Sequence, residues 1–148
     1  MDVEAIDILL VEDSPIDVKI TQKALKRGRV QNNLHVVYDG EAALDYLYRR
    51  NEFADPETSP RPDLILLDLH LPKLDGRGVL EVIKSDDNLK KIPVVMLTTS
   101  AREEDIVKSY QLGVNSYITK PVEFDDFLKI ILSITEYWLV IAKLPSVE

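Results

Sequence analysis

Apolar residues fall along this chain in two alternating kinds of run. The first kind is short and nearly continuous: Ile6–Val11, Leu34–Tyr38, Leu64–Leu67 and Ile92–Leu97, with Asn115–Thr119 as a more polar fifth. Such runs, bounded by Pro, Gly or polar clusters, predict strands, and a run apolar on both faces predicts a strand covered by helices on each side. The second kind places apolar residues three and four apart. After Val11, Ser14 can cap a helix and Pro15 suits its first position; Ile16, Ile20 and Ala24 form its predicted inward face with Leu25 beside them, and Gly28 is a stop. A second helix opens at Glu41–Leu47, after Asp39 and Gly40. A third follows Leu74–Gly78, with Val79, Val82 and Ile83 inward. A fourth spans Arg102–Leu112, with Ile106, Val107 and Tyr110 inward and Gly113 after it. The last begins near Glu123 and carries the stripe Phe124, Phe127, Leu128, Ile131, Thr135, Trp138 and Leu139.

Strand and helix alternate about five times, which predicts an α/β fold with a parallel sheet. A closed eightfold barrel needs many more than 148 residues. The expectation is a doubly wound (βα)5 flavodoxin-like domain, five parallel strands in the order 2-1-3-4-5 with helices on both faces. No repeat or low-complexity linker interrupts it, so residues 1–148 read as one domain. The polar, Pro-bearing segment Asn51–Pro62 reads as a long loop, mostly surface filler.

Composition narrows the function. There is no cysteine, so neither disulfides nor thiolate metal sites are available. Met1–Ala5 is acidic and shows no signal peptide, and no stretch is long enough to span a membrane; a cytoplasmic location is expected. A formal charge of -8 argues against nucleic acid or an anionic membrane as partner. Arg102–Asp105 reads as a solvated acidic helix turn, and His35 carries no signal.

The chemistry lies where the strands stop. In open parallel sheets, ligands bind outside the carboxyl ends of the strands. Those ends carry Glu12 and Asp13, Asp68, Thr98, and Lys120. In the expected strand order the first and third strands are neighbours, so three carboxylates converge. Two unit charges about 4 Å apart repel by roughly 4 kcal/mol at an effective dielectric near 20. Such a cluster needs raised pKa values or a cation, and all-oxygen ligands suit Mg²⁺ ahead of softer metals. With Lys120 as a cation and Thr98 as a hydroxyl donor, the parts are those used in phosphoryl transfer.

Val11–Asp13, Leu66–Pro72, Leu97–Ser100 and Ile118–Pro121, taken as an ordered set, resemble the receiver domain of two-component response regulators over about residues 5–137, leaving 138–148 as an extension of the last helix and a tail. The resemblance implies that Asp68 accepts a phosphoryl group from a sensor histidine kinase. It implies Mg²⁺, with Mn²⁺ as a substitute, on Glu12, Asp13, Asp68 and the main-chain carbonyl of His70. It implies that Lys120 pairs with the phosphoryl oxygens, that Thr98 swings to one of them, that Tyr117 turns inward, and that the bond before Pro121 is cis. Glu12 stands where Asp is frequent, and His70 and Ser100 stand where family members tune dephosphorylation. A lone receiver with this loop and last helix is similar to the regulators that partner bacterial phytochromes, notably in cyanobacteria. Tyr137–Ala142 is apolar around the whole helix, which points to a homodimer through the last helix and fifth strand.

Three other readings compete. A pseudo-receiver would act as a phosphorylation-independent interaction module, but needs no acid triad. A flavodoxin-like electron carrier needs a phosphate-binding loop after the first strand, where Glu12 and Asp13 would repel the FMN phosphate. An aspartate-nucleophile phosphatase places its nucleophile after the first strand, whereas Asp68 follows the third.

Overall fold

The computed structural model describes residues 6–26, 32–108, 113, 114, 116–127 and 129. Five strands, β1 (Ile6–Val11), β2 (Asn32–Val37), β3 (Leu64–Asp68), β4 (Val94–Thr98) and β5 (Ser116–Thr119), form one sheet in the order β2-β1-β3-β4-β5. Every pairing in it is parallel. Helices α1 (Pro15–Lys26), α2 (Gly40–Leu47), α3 (Gly76–Ser85) and α4 (Ala101–Lys108) connect them, with short 3-10 turns at Asn51–Phe53 and Leu89–Lys91. Residues 124–127 are again helical. The expected doubly wound, flavodoxin-like fold is the one found.

β3 is the middle strand of the five, and all of its residues are buried. Side chains alternate across a strand, so Leu64 and Leu66 enter the core that holds Val18, Leu25 and Phe127, while Ile65 and Leu67 enter the core that holds Tyr46, Val79, Leu80 and Ile83. Register then aligns the strand ends. Val11 is level with Leu67 on β3, and Asp68 is level with Leu97 on β4. Glu12, one residue past Val11, therefore stands beside Asp68.

Three helix faces differ from expectation. α1 buries Val18, Thr21, Ala24 and Leu25, not Ile16 and Ile20, which are 70% and 36% exposed. Two apolar stripes share Ala24, and the sheet takes the one that also carries Leu25; Ile16 is left to solvent, and Ile20 borders a groove with Pro121, Val122 and Phe124. α3 buries Leu80 with Val79 and Ile83, while Val82 is half-buried. On α4, Val107 is inward but Ile106 is exposed. Gly28, Tyr110 and the last-helix stripe from Leu128 onward lie outside the described residues, as does Tyr137–Ala142.

Most of Asn51–Pro62 is exposed, yet the loop is anchored. The Tyr46 hydroxyl donates to the Pro60 carbonyl at 2.8 Å, Phe53 packs against the Tyr46 ring, and Ser59 is buried. No helix among the described residues is long and apolar enough to cross a membrane.

The turn after α3 carries a pH-dependent contact. The Asp86 carboxylate accepts the main-chain N–H groups of Leu89 (3.0 Å) and Asn88 (2.8 Å) and the Tyr48 hydroxyl (2.8 Å). The Leu89 bond first, then Tyr48 and Asn88, hold its carboxyl below the usual carboxylate range. A carboxyl depressed by folding contributes stability above its unfolded pKa, and that contribution is lost as pH falls through the depressed value. Asp86→Asn should therefore flatten the acid limb of a urea-stability series run from about pH 5 to about pH 2. Superimposable limbs would show that these bonds add no acid-sensitive stability.

Candidate functional site

The rim at the carboxyl ends of β1, β3, β4 and β5 is built by the main chain first. The Glu12 N–H continues the β1–β2 ladder by donating to the Val37 carbonyl at 3.0 Å. Leu69 does the same to Leu97 at 3.3 Å, and Lys120 to Thr98 at 2.7 Å. Gly76, at the start of α3, lies against the Asp68 carbonyl so closely that a Cβ there would collide with backbone. Its N–H donates to the Leu69 carbonyl at 3.0 Å, which fixes the β3–α3 turn against the strand end. The Lys120–Pro121 peptide bond is cis.

The side chains then converge. Glu12 is 1% exposed and Asp68 4%. Glu12, Asp13 and Asp68 each offer an oxygen within 4.8 Å of the others. Asp13 is the solvent-facing member. The Lys120 ammonium is shared: Nζ lies 2.6 Å from Glu12 Oε1, 3.0 Å from Asp17 Oδ2 and 3.2 Å from Asp68 Oδ2. The other Asp68 oxygen, Oδ1, is 3.4 Å from the His70 N–H. Sequence-predicted Glu12, Asp13, Asp68, Thr98 and Lys120 are thus gathered at one rim.

Electrostatics explain why these groups need each other. Burial pushes Glu12 up to about 7; the Lys120 bond opposes the rise and the nearby Asp68 adds to it. Burial alone would lower the Lys120 ammonium, but the Glu12 bond, the Asp68 charge and the Asp17 bond outweigh it and raise it. One ammonium thus serves three carboxylates, with Asp13 as a fourth acid beside them. An all-oxygen set of this spacing, too negative for one lysine to neutralise, fits a hard divalent cation.

Thr98 is fully buried, and its hydroxyl finds no hydrogen-bond partner among the described residues. A buried unsatisfied hydroxyl costs about 1–3 kcal/mol, so an acceptor arriving at this rim would find a donor ready. Tyr117 is half-buried, with the Lys108 ammonium 5.2 Å from its ring centre.

The His70 ring is exposed, and its Nε2 lies 3.1 Å from Glu103 Oε2. Glu103 also accepts the Thr99 N–H at 2.9 Å and the Thr99 hydroxyl at 2.6 Å. The Thr99 hydroxyl bond is the largest of the contacts that hold its carboxyl below the usual range. Glu104 in turn accepts the Thr119 hydroxyl. Arg102–Asp105 is therefore more than a solvated acidic turn: two of its acids tie α4 to the ends of β4 and β5. Asp17 is the other residue missed. Its signal was available, because Ser14, Pro15 and Asp17 set a helix start next to Glu12.

A family model for the response regulator receiver domain matches residues 8–132. The chain is 48% identical over 139 residues to the response regulator Rcp1 of Synechocystis sp., covering 94% of this chain and 92% of that one. The Mn²⁺-bound structure of Rcp1 aligns with a TM-score of 0.71, over 95% of this chain and 99% of that one, at 47% identity. The bacteriophytochrome response regulator RtBRR aligns with a TM-score of 0.85 at 47% identity, over 96% of this chain and 85% of that one. The phosphorylated cyanobacterial phytochrome response regulator RcpA aligns with a TM-score of 0.74 at 48% identity, over 97% and 100%. With most of its length matched by the family model and by relatives of nearly the same extent, the chain belongs to the response regulator receiver domain family.

Proposed function

We propose that this receiver is a phospho-accepting switch: Asp68 takes a phosphoryl group from a sensor histidine kinase, and the product alters protein–protein contacts. The supporting observation is the rim itself, where one buried carboxylate, Asp68, lies 3.2 Å from an ammonium and within reach of two further acids.

In the transfer, an Asp68 oxygen attacks phosphorus in line and the bond from phosphorus to the donor ring nitrogen breaks; with the other ring nitrogen already protonated, the ring takes the electron pair and leaves as neutral imidazole. Lys120 neutralises charge on the moving group. Glu12, Asp13, Asp68 and the main-chain carbonyl of His70 are the groups that would hold Mg²⁺, or Mn²⁺ in its place, and that ion supplies positive charge beside the phosphoryl oxygens. The phosphoryl group carries about -1.5 to -2 charges, in place of the single charge of the free Asp68 carboxylate, and offers three acceptor oxygens. The buried Thr98 hydroxyl gains the acceptor it lacks. Thr99 follows Thr98 directly and is held by Glu103, so movement at Thr98 pulls on α4; Tyr117 turns inward into space left beside β4. Catalysis by the protein is confined to its own phosphorylation and slow hydrolysis.

The donor is read as a phytochrome, from the names of two structures similar to this chain, RtBRR and RcpA. The setting is cytoplasmic, with neither nucleic acid nor membrane as partner, in keeping with the -8 charge. A homodimer through the last helix and β5 is the proposed assembly.

Delivery from a protein-bound histidine requires a face beside the rim. α1 offers one: exposed Ile16 and Ile20 lie on the helix that also carries Asp17, and Ile20 shares a groove with Pro121, Val122 and Phe124. Ile16→Asp should slow transfer from a phosphorylated histidine-kinase domain by about tenfold while labelling by acetyl phosphate stays within about twofold. Equal slowing with both donors would remove the docking role. For the function as a whole, intact-mass analysis after acetyl phosphate treatment should show one added phosphoryl group with Mg²⁺ and none after chelation. A chain that stays unlabelled in both conditions would be the phosphorylation-independent module instead.

A further inference from the structure

An ammonium has three N–H groups, and on Lys120 all three meet carboxylates. The bonds to Glu12 (2.6 Å) and Asp17 (3.0 Å) are shorter than that to Asp68 (3.2 Å). Asp17 belongs neither to the strand ends nor to the acid triad; it comes from the first turn of α1. Its place there is fixed on each side. The Ser14 hydroxyl accepts the Asp17 N–H at 3.3 Å, the Ser14 N–H donates to Glu12 Oε2 at 3.2 Å, and the Thr21 hydroxyl donates to the Asp17 carbonyl at 2.9 Å. One short segment thus aims Glu12 and Asp17 at the same nitrogen. An acid in a first helical turn is favourable for the helix dipole alone. That explains the charge of Asp17 but not its aim, since its carboxylate is only one-third exposed and bonded to a nearly buried lysine.

We propose that Asp17 is a positioning residue for Lys120. Before transfer it draws the ammonium toward α1, so that the contact with Asp68 is the longest of the three at 3.2 Å, and in doing so it sets how fast Asp68 accepts a phosphoryl group. This deepens the proposed function and rests on it. With Asp17 neutral, Lys120 keeps two charged acceptors and closes on Asp68. The attacking oxygen is then tied in a tighter ion pair, which the incoming group must loosen first. Once the phosphoryl group is on Asp68, its added charge outcompetes Asp17 for the ammonium. The effect therefore falls on acceptance and not on loss. A merely structural role in α1 would disturb both rates together.

The test uses Asp17→Asn and Asp17→Glu in the full chain, with acetyl phosphate and Mg²⁺. Asp17→Asn should be labelled about tenfold more slowly while losing the label at the parent rate within about twofold. Asp17→Glu should recover most of the labelling rate. In a separate arm without phosphodonor or metal, the ¹⁵Nζ resonance of Lys120 should move on Asp17→Asn and return toward the parent position in Asp17→Glu. Parent-rate labelling of Asp17→Asn, equal slowing of gain and loss, or an unmoved Lys120 resonance would each overturn the proposal. If the parent itself takes no label, the failure lies with the phosphoryl-acceptor function, and the resonance arm alone decides on Asp17.

Discussion

Asp68→Asn should take no measurable label from a phosphohistidine donor or from acetyl phosphate, a loss of at least about a thousandfold. The substitution keeps shape and removes the nucleophilic charge. It should not cost the fold. Burial chiefly pushes Glu12 up to about 7 and Asp68 adds to the rise, so neutralising Asp68 relieves repulsion, while Lys120 keeps Glu12 and Asp17 as charged partners. The expected pattern is a stability equal to or above the parent's by urea denaturation, with activity gone. Labelling above about a tenth of the parent level would place the acceptor elsewhere, and a collapse of stability would mean that the rim is held together by Asp68 and not by Lys120.

Thr98→Val should separate stability from switching in the opposite way. Valine matches threonine in shape and β-branching, so β4 keeps its strand geometry. It removes a fully buried hydroxyl that has no partner among the described residues. Relief of that unmet donor should stabilise the free protein by about 1 kcal/mol, raising Tm by roughly 2–4 °C for a chain of this size. The same change deletes the donor that a phosphoryl oxygen would meet. With beryllofluoride and Mg²⁺ as a phosphoryl mimic, spectral changes at α4 and Tyr117 seen in the parent should be largely lost in Thr98→Val and kept in Thr98→Ser. A destabilised variant would show that the hydroxyl is already satisfied. A full response to the mimic would show that Thr98 does not carry the signal.

The sheet could be read from the sequence because its strands announce themselves. Leu64–Leu67 is apolar on both faces, and only a central parallel strand buries both. The βα repeat gave a parallel sheet, the chain length fitted the doubly wound order 2-1-3-4-5, and the placement of Glu12, Asp68, Thr98 and Lys120 followed from that order. Helix orientation was harder. On α1 the stripes Ile16–Ile20–Ala24 and Val18–Thr21–Leu25 are nearly equal in apolar character, and only packing against β1 and β2 chooses the second. Long-range polar contacts left still less trace. Asp17 meets Lys120 across 103 positions, and Thr119 meets Glu104 from the next strand. Nothing local in Arg102–Asp105 distinguishes an acid that faces water from one that ties α4 to β4 and β5. Edges shifted in both directions: β2 begins at Asn32, ahead of the apolar run at Leu34, whereas β4 begins only at Val94, two residues into the run that opens at Ile92.

Everything functional here depends on where a phosphoryl group settles and on what it needs to get there. The most direct measurement is a peptide map of the protein after acetyl phosphate treatment, with the labile acyl phosphate trapped by borohydride reduction. The expected result is a single modified position, Asp68, present with Mg²⁺ and absent with a chelator. Modification at another acid of the rim, or modification of Asp68 that proceeds equally well without a divalent ion, would contradict it.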